Sequence, residues 1–288
     1  MTPQQAVLVT GATGNVGPHA VAQLLEAGVR TRALVLEGDP NTGRIPEGAE
    51  IFHGDLADPD SLDAALAGVD AVFLMWPFFT LGVDTVPAVL EKIGRHARRV
   101  VFVSSIGVHI GLEPVDNRCH AYLEEQIEKS GLEWTFLQTT GFACNVRMGW
   151  SHQIRAGGVV RSPYGAASRS PIDEADVAAV AVRALTGPGH AGRRYVVTGP
   201  QALSQAAQLQ IIAEETGQGL RWEDVPHEAA RGAMVDAGWP PSYADGALEY
   251  FAMLVDRPET VTGTVAEVLG RPPRTFRQWV AEHADDFR

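Results

Sequence analysis

Three glycines, Gly11, Gly14 and Gly17, follow the apolar run AVLV and precede a helix-like stretch. A strand that turns this sharply into a helix points its first amides at an anion, typically the pyrophosphate of a dinucleotide. Gly11 permits the turn, Gly14 lets the backbone approach the phosphates, and Gly17 lets helix and strand pack. Val16 completes the loop, and the side chains of Thr10, Thr13 and Asn15 can add hydrogen bonds. A second set of reactive groups lies further on. Ser104 and Ser105 end the run RVVFVSS, where either hydroxyl could meet a substrate oxygen. His120 precedes Glu124 by one helical turn, so the two share a face. A histidine there could donate a proton near neutral pH. Tyr122 is the one tyrosine in this region, but Gln126 stands four residues on, where a lysine would lower its pKa. Glu124 reads as a solvated residue or a partner of His120.

These groups need a scaffold, and the apolar runs supply one. Strands are expected at 6–10, 30–36, 50–54, 71–75, 99–105, 133–138 and 194–198. Several are unbroken apolar runs, as in a parallel sheet covered on both faces. Helical spacing fills the gaps between them, and several helices end at a glycine. The alternation predicts an α/β fold with a doubly wound parallel Rossmann sheet. Beyond it, 203–217, 227–237, 243–255 and 273–286 read as helices without strong strands between them. The expected organisation is a dinucleotide-binding domain over 1–200, with 140–168 contributing to a substrate cleft, and a smaller, mostly helical C-terminal domain over 201–288.

Composition narrows the class. The chain has 288 residues and a net charge of −12. That balance opposes a nucleic-acid surface and gives no attraction to anionic membranes. Two cysteines, Cys119 and Cys144, are too few for a disulfide framework. With no leader-like or membrane-spanning run, a cytoplasmic protein acting on small molecules is expected, as monomer or homodimer. The nine histidines show no metal-like pairing, and no metal is expected.

Taken in order, the segments VTGATGNVG, FHGDLADPDSL, VVFVSSIGV, HAYLEEQIEKSGLEWTFLQTTGFACN and SPIDEADVAAVAVRAL resemble the NmrA-like branch of the atypical short-chain dehydrogenases/reductases. The resemblance covers nearly the whole chain. It implies a cleft between two domains that holds NAD(P)H and a small substrate. It also implies that Asp55 and Leu56 lie by the adenine, that His120 faces the nicotinamide, and that Phe142 and Asn145 lie at the substrate end. The chain departs from the family at two places. Leu36 and Glu37 stand where an arginine often reads the NADP phosphate, with Arg32 or Arg44 left to supply a cation. Gln138 and Thr139 replace the usual Arg-Pro, and Thr139 could still hydrogen-bond the nicotinamide side. NAD and NADP therefore both stay open, with Glu37 as the candidate ribose acid.

The fourth strand ends in an aromatic cluster containing Trp76 and Phe78. Ligands of such sheets sit outside the carboxyl ends of the strands. Trp76 is expected on the cofactor side, and Phe78 with Trp150 and Tyr164 as an apolar wall for an aromatic substrate. Three functions fit. The first is an NAD(P)H-dependent reductase transferring a hydride to a quinone-like, aromatic or conjugated carbonyl acceptor without the Tyr-Lys pair. The second is an NAD(P)-binding redox sensor. The third is a non-redox isomerase, dehydratase or cyclase working through His120 or a carboxylate such as Asp173.

Overall fold

The computed structural model describes residues 5–112 and 115–288, without the side chains of 115–117. Residues 1–4, on which part of the reading of the N-terminus rests, lie outside it. The chain forms two compact units that interleave in sequence. The first comprises Met1–Leu112, Asn117–Thr139 and Glu174–Val196; the second comprises Glu113–Asp116, Thr140–Asp173 and Val197–Arg288.

The first unit is a seven-stranded sheet. Its strands are β1 (Ala6–Val9), β2 (Arg30–Val35), β3 (Glu50–His53), β4 (Ala71–Leu74), β5 (Arg99–Ser105), β6 (Glu133–Thr139) and a last strand, Arg193–Val197. They stand in the order β3-β2-β1-β4-β5-β6 with Arg193–Val197 at the edge. The paired strands run parallel. This is the doubly wound order, which reverses between β1 and β4. Valine, leucine and phenylalanine fill the central strands because both faces are covered. Helix α1 (Gly17–Glu26) and the helix Glu174–Thr186 pack together on one face. On the other, α2 (Asp63–Leu66), α3 (Val86–His96) and α5 (Val115–Lys129) bury Leu66, Val89, Ile93, Leu123 and Ile127 against Val100, Phe102 and Phe136. A one-turn helix, α4 (Ile106–His109), links β5 to the segment before α5.

The second unit has its own core, with Trp150, Ile154, Leu209, Ile212, Phe276, Trp279 and Phe287 buried together. Its helices include Asn145–Gly157, Gln205–Thr216, His227–Asp236 and Pro241–Asp256. It also contains a short parallel pair that the sequence did not announce, Val159–Ser162 with Arg221–Asp224. Both strands mix charged with apolar residues over four positions, too short for a clear period of two.

Candidate cofactor and active site

The glycine loop is as tight as its spacing requires. Gly11 has φ +61°, and a Cβ there would lie 3.1 Å from the Met75 side chain. At Gly17 a Cβ would lie 2.1 Å from the Gly11 carbonyl oxygen and 2.7 Å from Ala12 Cα. Gly14 donates its N–H to Gly11 O at 3.0 Å, closing the turn. Val16, the residue before α1, offers no side-chain hydrogen bond to the helix N-terminus. The first-turn amides of α1 therefore stay available to an anion. This cradle at the strand-order reversal fits the pyrophosphate of NAD(P)H.

Around the loop the polar side chains divide. Thr10 is buried, and its hydroxyl is spent on Met75: it accepts from Met75 N–H at 2.8 Å and donates to Met75 O at 3.0 Å. It fastens β1 to β4 from beneath the loop. Thr13 Oγ1 donates to Asp39 at 2.7 Å, and Arg44 donates to Thr13 O at 2.8 Å. Backbone and side-chain hydrogen bonds from Asn41 and Thr13 hold the Asp39 carboxyl below its usual range. Asn15 is half-buried and Val16 buried. Glu37, at the end of β2, is 88% exposed, with its carboxylate 3.4 Å from His53 Nδ1. Arg32 is removed from consideration as a phosphate cation. It is 5% exposed, donates to Ala65 O and Ala67 O at 2.8 Å each, and lies over the Phe52 ring. Arg44 is exposed beside the glycine loop. Asp55 is exposed, with a carboxylate oxygen taking the Ala57 N–H, and Leu56 is buried in the core.

The second set gathers where β5 and β6 end. A period of two puts Ser104 on the same face as Phe102, and Gln138 on that of Phe136; Ser104 and Gln138 pair across the strands. Both face α5. There Ser104 Oγ donates to Glu124 at 2.6 Å, and Gln138 Nε2 donates to both oxygens of Glu124 at 3.0 and 3.2 Å. Arg194 completes the set at 3.4 Å, resting over Trp134 and Phe136. Glu124 is thus neither solvated nor paired with His120, contrary to the sequence reading. It is 4% exposed because three donors from separate strands replace its water. Glu124, Gln138 and Arg194 line a pocket of about 370 Å³ with Val108, His109, Ala121, Glu125 and Glu128.

His120 turns the other way. Its ring lies 4.0 Å from Phe78 and 6.0 Å from Phe102, and its buried Nδ1 has no hydrogen-bond partner among the described residues. Burial pushes its pKa down to about 3. The ring is therefore neutral at physiological pH, with no charged proton to give. Ser105 caps α4, accepting from Gly107 N–H at 3.1 Å, and Tyr122 is half-buried against the core. Thr139 is buried and donates to Ser104 O at 3.2 Å. Trp76 is 3% exposed, and its indole N–H donates to Gly82 O at 3.1 Å; the ring belongs to the core.

The candidates in the second unit are placed by its own packing. Phe142 is half-buried and pairs through a single bridge with Ile172, while Asn145 is exposed at the start of its helix. Trp150 is buried edge-on to Trp222, so it builds this unit's core rather than an open wall. Tyr164 adopts a left-handed φ of 58°, and its hydroxyl meets His227 Nδ1 at 2.8 Å. Asp173 is engaged by Arg274 at 2.6 Å, which removes it as a spare catalytic carboxylate. Gln138 and Arg194 as partners of Glu124, and Arg169 beside Gly141, carry no local signal in the sequence, because their partners lie on distant elements.

Comparison with known proteins bears on the fold and the cofactor. Residues 11–188 match a family model described as NAD(P)H-binding. The chain is 40% identical over 288 residues to a (4-alkanoyl-5-oxo-2,5-dihydrofuran-3-yl)methyl phosphate reductase of Streptomyces griseus, covering 98% of this chain and 99% of that protein. It is 37% identical over 284 residues to an NAD(P)H azoreductase of Xenophilus azovorans, covering 98% and 99%. Its fold matches a quinone oxidoreductase of Escherichia coli solved with NADPH, with TM-score 0.78 and 21% identity over 96% of this chain and 99% of that one. The chain belongs to the NAD(P)H-binding family and is an oxidoreductase.

Proposed function

We propose that this enzyme reduces a small, electron-poor conjugated acceptor, of the quinone, azo or unsaturated-lactone kind. When bound, NAD(P)H supplies a hydride. The observation that carries the reading is the absence of a poised acid among the described candidates. Ser104 directs its only O–H at Glu124, His120 is held neutral, and Tyr122 lacks its lysine. An acceptor that carries negative charge well after accepting a hydride needs no such acid, because a proton from solvent can follow. A simple ketone would need one in the transition state. The relatives named as azo and unsaturated furanone phosphate reductases support this acceptor class.

Within this reading the chain's own residues position and exclude water. The glycine loop and the α1 amides hold the pyrophosphate, with Asp55 and Leu56 toward the adenine. Ser105 and Thr139 stand at the nicotinamide end, and Phe78 lays an apolar ring over His120. Phe142 and Asn145 serve the acceptor. The acidic balance and two cysteines accord with a cytoplasmic enzyme of small molecules, monomer or homodimer. The test follows loss of reduced nicotinamide absorbance with NADH or NADPH against quinones, azo dyes and simple ketones. Turnover of the first two classes and not the third is expected. Ketone reduction at a comparable rate, or no turnover with any acceptor, would sink the reading.

A further inference from the structure

Gly141 follows the last residue of β6 by two positions and has no room for a side chain. A Cβ there would meet Arg169 Cζ at 2.6 Å, Nη2 at 2.6 Å and Nη1 at 2.8 Å. Three guanidinium atoms at nearly one distance mean that Arg169 presents its flat face to the glycine backbone. Its Cζ lies 5.4 Å from the Tyr250 ring centre and 5.5 Å from that of Phe251. All these residues belong to the second unit.

The cation is under-used where it stands. Glu259 is its ion-pair partner, at a single long contact of 3.4 Å. That carboxylate is already served by Ser170 N–H at 2.7 Å, Ser170 O–H at 3.1 Å and Tyr250 O–H at 2.5 Å. A structural staple would use the two-pronged fork of a guanidinium on a carboxylate. Here a group with five N–H donors spends one of them on Glu259. Its Nε is buried with no partner among the described residues, while a fifth of the side chain (21%) remains exposed. A fixed, aromatic-flanked guanidinium with spare donors matches a tetrahedral or planar oxyanion.

We infer that Arg169 is a receptor for a small anion bearing a sulfonate, phosphate or carboxylate group. Gly141 makes the site possible, because any side chain there displaces the guanidinium. Glu259, Ser170 and Tyr250 hold the local charge balance and aim the cation.

The experiment titrates naphthalenesulfonate, which accepts no hydride, into wild type, Arg169→Met and Arg169→Lys by calorimetry. Wild type should bind it, and in Arg169→Met the dissociation constant should rise about tenfold or more, the size of one charge-assisted contact. Arg169→Lys keeps the charge but not the fork and should fall between. No binding by wild type, or undiminished binding by Arg169→Met, overturns the receptor. If Arg169→Met does not fold, Arg169→Lys with unchanged affinity overturns it equally. Turnover does not enter this titration, so its outcome is distinct from that of the reductase test.

Discussion

Ser104 Oγ donates a hydrogen bond to Glu124 across 2.6 Å, joining the end of β5 to the middle of α5. The bond makes Ser104 an acceptor only, and it ties the position of a helix to that of a strand. Glu124 in turn depends on Gln138 and Arg194, so four separate elements meet at one buried carboxylate.

Removing that carboxylate strands three donors. Glu124→Ala should cost about 2–3 kcal/mol, the scale of leaving buried polar groups unpaired. A lower urea midpoint with unchanged slope is the expected result. Glu124→Gln, which keeps an acceptor oxygen, should cost less.

Gly17 tests the cradle. With a Cβ 2.1 Å from Gly11 O, Gly17→Ala must displace the loop. Nicotinamide fluorescence titration should show the dissociation constant rising about tenfold or more. Gly14→Ala, whose Cβ would stand 3.1 Å from the same oxygen, should do less harm.

His120 makes the fold acid-sensitive. Its pKa falls from 6.5 in the free residue to about 3 here through burial. Between those values the unfolded chain binds a proton that the folded chain refuses, so stability is lost as pH falls below 6.5 toward 3. Thermal melts of His120→Phe should show a shallower loss over that window. Reductase rates near neutral pH should show no step from this ring.

Cofactor preference should turn on two exposed groups of opposite charge. Arg44→Ala should raise KM for NADPH more than for NADH, because it removes the cation beside Thr13. Glu37→Ala should shift preference toward NADPH by removing a carboxylate that repels its extra phosphate. Paired steady-state titrations with both nucleotides check this.

The sheet was legible strand by strand: its central strands are short apolar runs flanked by turn residues, and its edge strands Glu50–His53 and Arg193–Val197 mix polar with apolar residues between turns. The glycine loop was legible for the same reason: its constraint is local, between Gly11 and Gly17. Glu124 was not, since its partners lie 14, 20 and 70 residues away on other elements. Arg32 looked like a surface cation until the carbonyls of Ala65 and Ala67 closed over it. Trp76 and Trp150 sat in stretches that suited a pocket, and packing put both in cores. Aromatic type does not distinguish a wall of a ligand site from a core residue; only neighbours distant in sequence do.

The clasp between Thr10 and Met75 carries one more meaning. Parallel strands usually hand hydrogen bonds from main chain to main chain until the ladder stops. Between β1 and β4 the last rung is a hydroxyl that gives and receives at once. The seam beneath the cofactor loop therefore ends on a side chain, so its length is written in a codon and not in the backbone. Serine at residue 10 would keep the rung, while valine, nearly the same shape, would leave the Met75 N–H and C=O without it.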